Sequence, residues 1–430
     1  MADLTLMAAN RSRRLIFINL AIDQLWDSTG HLQRLYPSRS PESERLVRAN
    51  EDLGLFLSQP GDVVLGAQFE PEHLKLLERW SAPFGRPVNV RANPCDFHHW
   101  VGEVEQMEIA QHPFEFWPCS LSPLENSLLA KIPSWKLPPW LPASLNTVAF
   151  NQKTSIFKWG EIAQLPVPRT SIVSIAKLLN EGSPTEIEYP LVLKADWGSG
   201  GCGNLNLQSK DDNRWRHFQR QLRGQTTGRW LVQKVIKAEL NLTVFGFADG
   251  SSPLIMNVEY DRDGLSVRHR DFDFQSAKPL AAAFLRVAHH LKELKYTGPF
   301  SFDVVVEKGS GEVYLLDMNV RWTRTHLLDL AARRLGQDWG KVESRRLRFQ
   351  GRSINSFSAW WRAMSELLNI DESGRDPRGH TFLPYSVAGS DTEGQSIKEV
   401  SYFVSTGSVD WISQVAAAIQ RWASPESAAG

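Results

Sequence analysis

An apolar run, Val313-Tyr314-Leu315-Leu316, ends in Asp317-Met318-Asn319-Val320-Arg321, fourteen residues after Asp303. The run reads as a strand. Alternation along it predicts Asp317, Asn319 and Arg321 on one face, because successive strand side chains point to opposite sides. A second strand, Phe302-Asp303-Val304-Val305-Val306, joins it through Lys308-Gly309-Ser310-Gly311, a short glycine-bearing loop that predicts a hairpin. Two carboxylates and an amide oxygen then converge from neighbouring strands. That donor chemistry suits magnesium carrying nucleotide phosphates. Arg321 beside them can neutralise charge on a phosphoryl group in transfer. The same short pattern also occurs at solvated hairpin ends, where turns are rich in polar residues. Sequence upstream decides between the two.

Tyr189-Pro190-Leu191-Val192-Leu193-Lys194 is an aliphatic run ending in a lysine. It enters Ala195-Asp196-Trp197-Gly198-Ser199-Gly200-Gly201-Cys202-Gly203-Asn204, with four glycines among residues 198–203. Glycine permits backbone conformations in which several N–H groups aim at one anion, and it lets the anion approach closely. Lys194 adds a point charge. No Gly-Lys-Ser/Thr closes the loop, and the G-x-G-x-x-G spacing of a dinucleotide site is absent. Taken alone, the segment also fits a flexible loop between strands.

Order and spacing carry more than either motif. Phe150-Asn151-Gln152-Lys153 precedes a helix-like stretch and Leu165-Pro166-Val167-Pro168. Next come the Lys194 strand and its glycine loop, then Trp230-Leu231-Val232-Gln233-Lys234-Val235-Ile236, then the acidic hairpin. This series resembles the ATP-grasp superfamily over roughly residues 145–345. The resemblance implies ATP and one or two magnesium ions, or manganese, as cofactors. It implies that Lys153 and Lys194 contact nucleotide phosphates, and that Gly198, Ser199, Gly200, Gly201 and Gly203 cover them as a lid. Gln233, Lys234 and Val235 would lie along the adenine. Asp303, Asp317 and Asn319 would hold the metal, and Arg321 would stabilise the acyl phosphate. Two departures stand out. Asp317 replaces the usual glutamate, and the ribose-binding position falls on Glu239 or Asn241.

The implied chemistry is carboxylate–amine ligation. A carboxylate takes the γ-phosphoryl group of ATP, an amine displaces phosphate from the acyl carbon, and ADP and phosphate are released. The expected substrates are a small carboxylate and an amine, an amino acid or short peptide on at least one side, as in peptide natural-product biosynthesis. Phosphoryl transfer to a hydroxyl is the alternative enzyme class, and a non-catalytic nucleotide-binding module a third reading. Arg268 and Arg270, alternating in Val267-Arg268-His269-Arg270-Asp271, are candidates for a substrate carboxylate. Arg324 and His326, just beyond the metal strand, are further candidates. No general base stands out; His269, Asp271 and Asp273 read as a strand-edge charge pattern.

The expected fold class is α/β with an α+β core, divided into three parts. Residues 1–143, with strands at Arg14-to-Leu20 and Asp62-to-Gly66 and a helix from Pro71 to Trp80, predict a Rossmann-like α/β unit. That unit resembles the pre-ATP-grasp domain of the pheganomycin-type peptide ligases. Residues 144–349 hold the ATP-grasp lobes. Residues 350–430, with strands at Phe382-to-Tyr385 and Glu399-to-Val404 and a helix from Val409 to Trp422, form a small cap.

At 430 residues and 42% hydrophobic content, the chain can bury two or three cores. Lys+Arg and Asp+Glu each number 48, a balance that points away from nucleic acid and anionic membranes. Cys95, Cys119 and Cys202 lack metal-ligand spacing, and Cys202 reads as a small loop residue. Leu15 to Ile22 is too short to span a membrane and reads as a strand, so the expectation is a cytoplasmic enzyme, with a homodimer left open. The 16 tryptophans are expected to be packing residues. The proline-rich stretch around Trp135 and Trp140 reads as an interdomain linker.

Overall fold

The computed structural model describes residues 12–18, 52–66, 69–88, 97–143, 147–180, 187–197, 204–223, 228–251, 253–260, 266–271, 278–339, 341–350, 356–389 and 397–423. Five short strands come first: β1 (Arg14–Phe17), β2 (Val63–Leu65), β3 (Arg86–Val88), β4 (Phe114–Pro118) and β5 (Trp135–Lys136). They pair in parallel in the order β3-β2-β1-β4-β5. A parallel sheet is covered on both faces, so its strands carry continuous apolar runs. Leu15 and Phe17 enter one core while Ile16 and Val64 enter the other. The helix expected after β2 spans Pro71–Glu78, with proline in its first turn and His73, Leu76 and Leu77 buried.

Trp135 corrects the linker reading of the proline-rich stretch. It forms the edge strand β5 in register with Phe114, is 2% exposed, and stacks on Phe116 at 5.5 Å. Proline density concealed a strand that is only two residues long. Trp140, further on, packs edge-on against Trp117, Tyr296 and Trp322. Trp159, Trp230, Trp322, Trp360 and Trp411 are likewise fully buried, as expected of packing residues.

The second sheet contains β6 (Thr170–Ser174), β7 (Leu191–Ala195), β8 (Asn204–Leu207) and β9 (Arg229–Lys234), antiparallel in the order β6-β9-β7-β8. Its central strands are the lysine strand β7 and the buried strand β9. Helix Ile156–Ala163 occupies the stretch between Lys153 and the Leu165–Pro168 segment.

The third sheet has eight strands: β10 (Ala238–Phe247), β11 (Leu254–Tyr260), β12 (Ser266–Asp271), β13 (Pro299–Glu307), β14 (Val313–Asn319), β15 (Val342–Gln350), β16 (Phe382–Gly389) and β17 (Ile397–Ser405). Their order is β14-β13-β10-β11-β12-β15-β17-β16, antiparallel throughout. Helix Lys278–Glu293 buries Leu280, Phe284, Val287 and Leu291, and Phe284 stacks on Phe300 of β13 at 4.4 Å. Val244, Phe302 and Val304 share that core, so the alternate residues Thr243 and Asp303 belong to the other face of the sheet. Strands β16 and β17 extend this same sheet through β15, and helix Val409–Ala423 follows them. Among the described residues, no helix is long and apolar enough to cross a membrane.

Candidate active site

The expected hairpin is β13–β14, with Asp303 directly opposite Asp317 and a register shift immediately beyond the pair. A bulge next to a functional pair re-aims side chains that a regular ladder would hold parallel. Thr243 of β10, also opposite Asp303, donates its hydroxyl to Asp303 Oδ1 at 2.7 Å. Burial, then the facing Asp317 carboxylate, raises the Asp303 pKa to about 6; the Thr243 bond and the ammoniums of Lys153 and Lys194 oppose this.

Both expected lysines arrive at this pair from other elements. Lys153 Nζ donates to Asp317 Oδ2. Lys194, near the end of β7, donates to Leu316 O at 3.1 Å. Each is 9% exposed. Burial lowers the Lys194 pKa to about 8, against the pull of Asp317 and with the repulsion of Lys153. Arg321, 4% exposed, donates Nη2 to Asn319 Oδ1 at 3.2 Å.

The donor set fits a hard divalent cation. Two carboxylates and the Asn319 amide lie at the end of one hairpin, with the ammoniums of Lys153 and Lys194 beside them. Among the described residues, no three His, Cys, Asp or Glu side chains form a metal-holding group. Magnesium needs no such cage, since it is commonly held by one or two carboxylates plus substrate phosphates.

Three residues that sequence reasoning did not single out brace this arrangement. Thr243 orients Asp303. Asn151 accepts the Val320 N–H at 2.9 Å and donates to Thr147 O at 2.7 Å and Val320 O at 3.4 Å. Asp196, just after β7, accepts from the Thr154 N–H and hydroxyl at 2.9 and 2.8 Å and from Arg229 at 3.1 Å. Its own carbonyl accepts the Lys153 N–H at 2.9 Å. The signal available for Asn151 and Asp196 was adjacency to Lys153 and Lys194; for Thr243 it was strand alternation with Asn241.

The other candidates divide. Gln233 is buried and donates Nε2 to Thr170 Oγ1 at 3.0 Å, while the N–H groups of Lys234 and Val235 are taken by Arg169 O and Pro190 O. Glu239 and Asn241 are exposed on β10, and Asn241 lies two residues before Thr243. Arg324 Nη2 lies 3.3 Å from the Tyr385 hydroxyl, which contacts Ser344 Oγ at 2.8 Å. His326 faces inward. Nδ1 accepts from Thr323, Nε2 lies 3.0 Å from Gly246 O, and burial lowers its pKa to about 4, so the ring caps helix Arg324–Arg334 and is not a substrate contact.

Arg268 and Arg270 lie on β12, the fifth strand from the hairpin edge of the third sheet. Met256, opposite Thr243, pairs with Asp271, and Asn257 pairs with Arg270. Gly198, Ser199, Gly200, Gly201 and Gly203 lie outside the described residues.

No known family profile matches the chain. No curated protein matches it either. Among solved structures, it is similar to the ADP complex of an N5-carboxyaminoimidazole ribonucleotide synthetase, at 13% identity and a TM-score of 0.51, over 87% of this chain and 94% of that one. The synthetase of the same name from Thermus thermophilus gives 14% identity and a TM-score of 0.49, over 92% and 97%. The Staphylococcus aureus N5-carboxyaminoimidazole synthetase complexed with ADP gives 11% and 0.49, over 86% and 94%. The first of these carries the comparison: the chain has the α/β ATP-grasp fold, with its parallel sheet and two antiparallel sheets.

Proposed function

We propose that this chain is an ATP-dependent carboxylate–amine ligase acting on small molecules through an acyl phosphate. The observation that carries this reading is the convergence of Lys153 and Lys194 on the paired carboxylates Asp303 and Asp317, with Arg321 bonded to Asn319 on the same strand end. Opposed charges gathered at one hairpin end suit a nucleotide polyphosphate whose charge must be neutralised before another anion approaches.

In this reading Asp303, Asp317 and Asn319 hold magnesium, which supplies charge screening at the phosphate oxygens. Lys153 and Lys194 bind the phosphates. Gln233 to Val235 line the adenine, and Glu239 or Asn241 meets the ribose. With charge offset by the cations, a substrate carboxylate oxygen attacks the γ-phosphorus and the bond to ADP breaks. The amine lone pair then attacks the acyl carbon, the tetrahedral species collapses, phosphate departs, and the nitrogen loses a proton. Arg321 stabilises both the acyl phosphate and that species. Residues 1–143 and 350–430 flank the 144–349 core and complete the substrate side, where Arg324 is the leading contact. An amino acid or short peptide on at least one side is the proposed substrate class, in a cytoplasmic setting.

The test is a pooled amino-acid screen for phosphate release, with product masses read afterwards and ¹⁸O carried in the carboxylate. The heavy atom is expected in released phosphate. Label retained wholly in the product, release of AMP with pyrophosphate, or phosphate transferred to a hydroxyl overturns the proposal.

A further inference from the structure

We infer that Asn151 is a positioning residue that sets the metal-binding strand end against the phosphate-binding lysine turn. This rests on the nucleotide reading above. Strand β14 ends at Asn319, so Val320 lies beyond its ladder, between the metal-ligand amide and Arg321. Asn151 takes the place of a strand neighbour there, accepting the Val320 N–H and donating to the Val320 carbonyl while anchored on Thr147 O. An extended strand end whose backbone groups went unpaired in a buried site would be costly and free to shift. Asn151 is 7% exposed, so water does not readily replace it.

The same turn continues into Lys153, whose side chain reaches Asp317 and whose N–H is held by Asp196 O. Thr154 follows, tied to the Asp196 carboxylate. Residues 151–154 therefore connect the hairpin end, the lysine charge and the strand leading into the glycine segment. Within that unit, Asn151 is the side chain that grips the backbone between Asn319 and Arg321. Asparagine is suited because it presents one acceptor and one donor from a single planar group. Aspartate would keep the acceptor but set a carboxylate oxygen against two carbonyls.

The experiment compares ADP affinity by calorimetry in Mg²⁺ and in EDTA for wild type, Asn151→Asp and Asn151→Ser, with thermal midpoints recorded in parallel. The expected result is at least a tenfold loss of the Mg²⁺ enhancement in both variants, with the EDTA affinity within threefold of wild type. Retention of the wild-type enhancement in either folded variant overturns the inference. So does a proportional loss of both affinities that tracks the midpoint, since that is the signature of a purely structural role. If wild type itself shows no Mg²⁺-dependent ADP binding, the nucleotide reading fails first and this inference fails with it.

Discussion

At the residue scale, Asp303 and Asp317 face each other but differ in what they lose on substitution. Asp303 is penalised by burial and by its neighbour's charge, whereas Asp317 is the ion-pair partner of the 9%-exposed Lys153. Asp303→Asn should therefore raise the stability of the nucleotide-free protein, by relieving one of two adjacent charges. Asp317→Asn should lower it, by leaving a buried ammonium without its counter-ion. Both should cut Mg²⁺-dependent nucleotide affinity at least tenfold. Urea unfolding beside calorimetry checks this; stability changes of the same sign for both variants would contradict the assigned partners. The chemistry of these residues was legible because carboxylate, amide and ammonium types announce it. The bracing by Thr243 and Asn151 was not, because those contacts depend on registers and turns that bring together positions 60 and 169 residues apart.

At the element scale, period-two alternation made the hairpin readable, and apolar spacing made helices Pro71–Glu78 and Val409–Ala423 readable. Strand order across the sheet was not: β10 and β11 stand between the hairpin and β12, which carries Arg268 and Arg270. Docking between elements was equally hidden. Arg334, in the last turn of helix Arg324–Arg334, donates to Phe56 O, Ser58 O, Ala82 O and Pro83 O, with its guanidinium 4.0 Å over the Phe84 ring. Arg334→Ala should cost about 2–3 kcal/mol, in line with hydrogen bonds made by a charged donor to partly buried acceptors. A change below about 0.5 kcal/mol in urea, the range of ordinary surface substitutions, would show that the clamp carries no weight.

At the scale of the whole molecule, the first and last parts of the chain share one core. The apolar cluster containing Ile16, Leu53 and Leu76 also contains Trp360, Phe382 and Trp411. Polar ties cross the same boundary: Trp80 Nε1 donates to Ser373 O at 2.7 Å, and the Phe357 N–H donates to Glu70 Oε1 at 2.7 Å. Composition showed that several cores could form but not that distant segments would share one. His73 sits at this junction, stacked on Phe357 at 4.1 Å with Nε2 3.1 Å from Pro384 O. Burial lowers its pKa to about 4, with the Pro384 carbonyl opposing. The unfolded chain takes up that proton near pH 6.5 while the folded one resists. The neutral ring's contribution is thus complete above about pH 6.5 and is lost as pH falls through about 4, with an upper bound of about 3 kcal/mol. Between about pH 7.5 and about pH 5, His73→Gln should lose less stability than wild type; equal losses would remove His73 from the acid response.

The central claim, that the Asp303–Asp317 hairpin end with Lys153 and Lys194 binds magnesium-nucleotide, is tested most directly by equilibrium unfolding with and without Mg²⁺-ATP. At about one hundred times the dissociation constant, the wild-type protein should gain about 2.7 kcal/mol. The gain should disappear in EDTA and in the Asp303→Asn/Asp317→Asn double variant. No stabilisation of wild type at saturating nucleotide, or a full gain retained by the double variant, would contradict the account.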